Sequence, residues 1–244
     1  MAFQLPEENF GCPLFAMRDA DQELKHGILR NEVSPIERAF TRDPEVCRST
    51  FRVDLLFKEG MLHWIYSGDT WLHLAAAAHS DRVIPILIQH GADPNAAGSR
   101  RKGAPLHYAA DGCVGEPWWC EVRQVQTVRC LLTQGSAVNA RDANGATPLH
   151  RAVRARCAAV VKVLMEAGAD PEARNASGST PFHLAVQSTG RGGSGNELAI
   201  AAQKSILKEF VRRKVSVALK SAEGLSVLDW ADRSWVGGYL QTLR

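Results

Sequence analysis

Four times the chain writes a variant of one seven-residue phrase: TWLHLAA from Thr70, APLHYAA from Ala104, TPLHRAV from Thr147 and TPFHLAV from Thr180. Three of the four lead to a glycine turn, Gly91-Ala92-Asp93, Gly135-Ser136-Ala137 and Gly168-Ala169-Asp170. A degenerate fifth copy, Gly224 to Ala231, places Asp229 where the others have histidine. The step from His73 to His107 nearly equals that from His150 to His183, while the step from His107 to His150 is longer. His73 to Gly91 and His150 to Gly168 are equal intervals, and His107 to Gly135 exceeds them. In the fourth copy Lys214 stands at the glycine position, again displaced downstream of its histidine, His183. Two copies are therefore interrupted at the same internal point. A chain built this way packs unit on neighbouring unit along a continuous strip of core.

Each phrase predicts a short helix. Threonine caps its start, and proline follows where a missing N–H costs nothing, as in Thr147-Pro148 and Thr180-Pro181. Leu149, Ala152 and Val153 form an apolar face whose alanines allow close approach. A second helix carries Ile84, Ile86, Leu87 and Ile88 in the first unit and Val160, Val161, Val163 and Leu164 in the third. Glycine then supplies the left-handed residue that ends it. Trp71 replaces the proline, Ala104 replaces a capping threonine, and Lys214 should strain or reshape its turn.

The T-P-L-H-x-A core, with a period of roughly 33, resembles the ankyrin repeat. The resemblance covers roughly residues 64–244 and implies an all-α repeat solenoid of helix-turn-helix units with short hairpin turns. The units fall near 65–98, 99–141, 142–174, 175–220 and 221–244, the last with the profile of a terminal cap. Residues 1–63 carry no motif. Helical patterns at Asp21 to Arg30, Pro35 to Thr41 and Pro44 to Phe57 suggest an N-terminal helical cap or degenerate repeats, with a small separate module as the alternative.

A net charge of +3 is too mild to announce a nucleic-acid partner, and no apolar window is long enough to span a bilayer. Six cysteines without C-x-x-C pairs and no secretory leader read as reduced thiols. The expectation is a soluble monomer of the cytoplasm, with the nucleus as second choice. No nucleophile elbow, P-loop or H-E-x-x-H motif occurs, so no catalytic residue and no cofactor are implied. The motif histidines recur once per unit and read as structural; His79 and His90 read as surface residues. Cys113, Cys120 and Cys130 match no compact zinc spacing, and Cys130 and Cys157 read as small buried hydrophobes. Gly190 to Gly195 follows a helix and reads as a flexible loop rather than a phosphate cradle.

The ankyrin resemblance implies a protein-binding scaffold whose contacts lie on the concave face. Carried onto this sequence, the contact positions include Tyr66, Asp69, Arg100, Arg101, Asp111, Asn144, Arg154, Ser179 and Gln187. Arg100, Arg101, Lys102, Arg151, Arg154 and Arg156 would give that face a basic tint suited to an acidic partner, or would serve equally as solvated surface. The second unit's insertion carries Trp118 and Trp119, which either reach outward to a partner or fold back on the neighbouring unit. Both insertions should project from one edge. The competing class is a small-molecule binder or enzyme whose pocket uses the Trp118/Trp119 and Gly-rich insertions. By resemblance, Asn95 and Asn139, which follow Leu87 and Leu131 at one common spacing, match ankyrin asparagines that are hydroxylated in animal cells.

Overall fold

A computed structural model describes residues 18–52, 54–57, 63–98, 101–112, 114, 116–187, 197–231 and 235–243. Arg100, Cys113 and the Gly190–Gly195 stretch lie outside them. The repeat phrases become the inner helices α3 (Trp71–Ala77), α5 (Pro105–Ala110), α7 (Pro148–Arg154), α9 (Pro181–Val186) and α11 (Val227–Ala231). Each is followed by an outer helix: α4 (Ile84–Gln89), α6 (Glu121–Thr133), α8 (Ala158–Glu166), α10 (Glu197–Arg212) or α12 (Trp235–Thr242). Inner helices pack in the order α3, α5, α7, α9, α11, and outer helices in the order α4, α6, α8, α10. Leu72, Leu106, Leu149 and Phe182 are fully buried along the inner rank, and the buried apolar residues form one continuous cluster.

The repeated histidine stitches this all-helical repeat together. His73 Nδ1 accepts the Thr70 N–H at 3.0 Å, and its Nε2 pairs with the Gly103 carbonyl of the next unit at 2.9 Å. His107 does the same between Ala104 N–H and Ala146 O, His150 between Thr147 N–H and Ser179 O, and His183 between Thr180 N–H and Leu225 O. One nitrogen must accept and the other must donate, so each ring is held neutral. In the fifth unit Asp229 Oδ2 takes over the accepting half, receiving the Ser226 N–H at 2.7 Å. At the outer turns, Asn95 bonds Gly135 O and Ala137 N, while Asn139 bonds Gly168 O and Asp170 N. Lys214 does not reshape its turn. It sits at φ 57°, the left-handed region that Gly91, Gly135 and Gly168 also occupy.

The interrupted units solve a common problem in a common way. In the regular units, a backbone N–H caps the inner-helix carbonyl two positions past the histidine: Ser80 N–H to Ala75 O and Cys157 N–H to Ala152 O, both 2.9 Å. In the interrupted units the chain leaves α5 and α9 in extended conformation at Asp111 and Gln187. There the outer helix supplies a side chain instead. Gln124 Nε2 donates to Ala109 O at 3.0 Å, and Gln203 Nε2 donates to Ala185 O at 2.8 Å. One and the same interval separates His73 from His150, His79 from Arg156, and Gly91 from Gly168. The chain thus repeats a two-unit block, one regular and one interrupted.

Before the repeats, α1 (Asp19–Arg30) and α2 (Val33–Arg42) pack as a pair, with α1 against α3. Ser80 donates its hydroxyl to Ile28 O, and Asn31 bonds Asp81. The helix expected over Pro44 to Phe57 does not form. After a single 3-10 turn at Val46–Arg48, the chain runs extended, and β1 (Leu55–Phe57) pairs antiparallel with β2 (His63–Ile65), Leu56 opposite Trp64. Its lead-in is tied to the first repeat, with Phe51 N–H donating to Asp69 O and Gly68 N–H to Phe51 O. That pairing satisfies the backbone without a helix. No helix among the described residues is long and apolar enough to cross a membrane.

Candidate functional site

The hairpin stands beside the inner helices, and between them lies a groove of about 550 Å³. Leu56, His63, Trp64 and Tyr66 form one wall; Arg101, Gly103, His107, Tyr108, Asp111, Val114, Glu116, Arg151 and Arg154 contribute the rest. It runs across the first three units. Neither Trp118 nor Trp119 lines it, so the groove is not the pocket expected from the insertions, although Val114 and Glu116 belong to the first of them.

Asp69, expected as a contact residue, is fully buried and acts from behind the wall. Its Oδ2 accepts the Tyr66 N–H at 2.8 Å and the Tyr108 hydroxyl at 2.6 Å, fixing two groove residues at once. The His73 ring meets Tyr108 edge-on at 5.1 Å. Tyr66 in turn carries the Arg101 guanidinium 4.5 Å above its ring and stacks with Trp64 at 6.4 Å. Trp64 is 47% exposed, a large apolar surface left open at the groove mouth.

Asp111 is a second buried carboxylate of the site. Its Oδ2 lies 3.7 Å from Arg154 Nη2 and 3.8 Å from His63 Nε2. His79, expected on the surface, is buried instead. At φ 53° it ends α3 in left-handed conformation, which turns its ring inward. Burial, assisted by the nearby His63 and Arg123 charges, lowers its pKa to about 4. Arg123 Nε and Nη2 are buried with no acceptor among the described residues.

Two residues of the basic tint expected on this face, Arg151 and Arg156, are spent within the fold. Arg151 pairs with Asp142 at 2.6 Å, both groups well covered. Burial alone would raise the Asp142 pKa, but Arg151 and the Ala146 and Asn144 amides hold it below the usual carboxylate range. Arg156 is 4% exposed and donates to Ala185 O and Gln187 O, so it serves the next unit and not the surface. Arg154 keeps 53% of its side chain exposed.

Other expected contact residues scatter. Asn144 lies at the turn between units, its carbonyl accepting the Ala176 N–H at 2.8 Å. Ser179 is buried and holds His150 through its carbonyl; the half-buried Gln187 accepts from Arg156 and Gln203. Trp119 folds back, donating its indole N–H to Gln124 Oε1 at 3.0 Å, while Trp118 stays 38% exposed. Sequence reasoning missed His63, Trp64 and Tyr108. The signal for the first two was present: two short apolar runs flanking Lys58-Glu59-Gly60 have the pattern of a hairpin.

Helix pairs that hand a histidine bond from each unit to the next define a helical-repeat protein. A family model for the ankyrin repeat matches residues 67–99, and a second, for many copies of the repeat, matches residues 131–185. Those stretches of the chain are ankyrin repeats. Human and mouse rabankyrin-5 are each 33% identical to the chain over 103 residues, 38% of its length. The Drosophila melanogaster protein "NF-kappa-B inhibitor cactus" is 44% identical over 48 residues, 20% of this chain. The matched stretch is only 8% of rabankyrin-5 and 10% of cactus, so the chain spans a small part of either relative's length.

Proposed function

We propose that this protein is a non-enzymatic scaffold that binds a protein partner through the concave side of an ankyrin solenoid. The observation that carries this reading is the groove between the hairpin and the first three units. Its walls are fixed before any partner arrives, Tyr66 and Tyr108 by the buried Asp69 and Arg151 by Asp142. A preformed surface keeps the ordering cost of association low. Ankyrin repeats serve generally as protein-interaction modules, and one relative is named as the inhibitor of another protein. Residues 1–63 act as the N-terminal cap of the stack in this reading, and the free Cys47, Cys120, Cys130 and Cys157 among the described residues suit the cytoplasm or nucleus.

The test is site-specific photo-crosslinking in native lysate. A benzophenone amino acid at Trp64 or Asn144 should trap a discrete protein adduct, and one at Lys162, exposed on the outer helix α8, should not. Adducts from Trp118 and Val122 alone would move the interface to the insertion edge. Adducts from none of these positions would refute protein binding by this face.

A further inference from the structure

The turn after α10 departs from its counterparts at two positions at once. It begins on Lys214, where the first three units have Gly91, Gly135 and Gly168, and all four residues are left-handed. Two residues further on, those units place Asp93, Ala137 and Asp170, and the fourth places Ser216. Asp93 Oδ1 accepts the Asn95 N–H at 2.8 Å, and Asp170 Oδ1 accepts the Glu172 N–H at 2.9 Å. Ser216 Oγ accepts the Ala218 N–H at 3.2 Å, the same bond made by a shorter and neutral side chain. A turn that holds an anion in the first and third units thus presents a hydroxyl in the fourth, and Ser216 is exposed.

The approach to that hydroxyl is basic. Arg212, Arg213 and Lys214 precede it in the chain. Arg213 is engaged by Glu209 and the Met165 carbonyl, but Arg212 keeps 62% of its side chain exposed and Lys214 is exposed as well. The other Arg-Arg-Lys run, Arg100 to Lys102, leads to Gly103 and Ala104 and offers no acceptor. Ser177 follows Arg174 by three residues, yet that guanidinium is held by the Gly178 and Lys220 carbonyls. Two carboxylates stand against added negative charge here. Glu209 is already paired with Arg212 and Arg213, and Glu172, on the preceding unit's turn, is exposed and screened by water.

We propose that Ser216 is a phosphorylation site, read by a protein kinase that selects basic residues ahead of its serine. In the transfer, Ser216 Oγ forms a bond to the γ-phosphorus of a nucleoside triphosphate while the bond from that phosphorus to the β,γ-bridging oxygen breaks. The nucleoside diphosphate leaves with the bonding electrons, and the hydroxyl proton passes to the base of the kinase. The product carries a charge of about −1.5 to −2 in a turn built for a carboxylate, with Arg212 and Lys214 close by in the chain to offset it. Lys214 thereby acquires a use: it gives up the freedom of a turn glycine and adds a cation two residues before the acceptor.

The test incubates the full chain with the catalytic subunit of cyclic-AMP-dependent protein kinase and MgATP, and maps the sites by mass spectrometry. Ser216 should be modified at least ten-fold faster than Ser177, and Arg212→Gln combined with Lys214→Gly should slow it about ten-fold while circular dichroism shows unchanged helix content. The phosphorylated chain and Ser216→Asp should each melt within about 3 °C of the unmodified protein. Modification of a synthetic peptide of residues 208–220 but not of the folded chain, or of neither, overturns the proposal. So does equal modification of Ser177, or a rate that the double variant leaves unchanged. A larger fall in Tm for the phosphorylated chain or for Ser216→Asp would show that this turn rejects the charge, which overturns it too.

Discussion

Arg156 and Gln203 converge on the same two acceptors, and this makes a sharp prediction about coupling. Arg156 donates to Ala185 O at 3.3 Å and Gln187 O at 2.6 Å; Gln203 Nε2 donates to the same oxygens at 2.8 and 3.1 Å. Either side chain alone leaves both carbonyls bonded. Arg156→Met keeps the stem and removes the guanidinium. It loses charge-assisted bonds worth about 1.5–3 kcal/mol. It also relieves the burial of a cation with no acidic partner among the described residues, so the net cost is about 1 kcal/mol. Gln203→Met loses neutral bonds and costs about 1 kcal/mol. The double variant strips both donors from the buried Ala185 carbonyl. It should therefore lose about 1–3 kcal/mol beyond the sum, the desolvation of an acceptor with no donor. Urea denaturation of the four proteins in the cycle measures this term directly. Additivity within about 0.5 kcal/mol would refute the shared-acceptor reasoning, and would mean that Ala185 O finds another donor.

Two further outcomes follow from the repeats. The motif histidines and His79 have lowered pKa values through burial, with His150 and His79 at about 4. Each binds its proton more weakly folded than unfolded, so stability should be full above about pH 6.5 and fall steadily as pH drops toward 4, by on the order of 3 kcal/mol for His150 alone. Urea midpoints that stay flat between neutral pH and about pH 5 would contradict this. Lys214 holds a left-handed conformation that glycine adopts freely at the equivalent turns. Lys214→Gly should raise stability by about 0.5–1 kcal/mol, read as an increase in Tm. A fall in Tm would show that the lysine side chain contributes more than its strain costs.

The repeat architecture was legible because its determinants are local and recur. The Thr-Pro start, the histidine and the turn glycine each act within their own unit or on the next, so position in the phrase fixes position in the fold. The groove was far less legible. Asp69 and Ser179 occupy family contact positions, yet the Asp69 Oδ2 is claimed by Tyr66 and Tyr108 and the Ser179 carbonyl by His150, and nothing in their own sequence reveals this. Arg151 and Arg156 look alike on paper. One finds Asp142 at the start of its own unit, and the other finds carbonyls of the next unit. His63 and Trp64 escaped because the helical reading of Pro44 to Phe57 hid a hairpin whose pairing partner lies beyond it.

The glutamine caps of the second and fourth units have a consequence for how such a chain can vary. In a regular unit, the connection between helices must be short, since its own backbone finishes the inner helix. Where Gln124 or Gln203 reaches across instead, the inner helix is finished by a side chain of the outer helix and not by the connection's own backbone. Residues can be added or removed there while the ranks of helices keep their spacing. These two points are the places at which a new loop should be grafted most easily without re-registering the repeats.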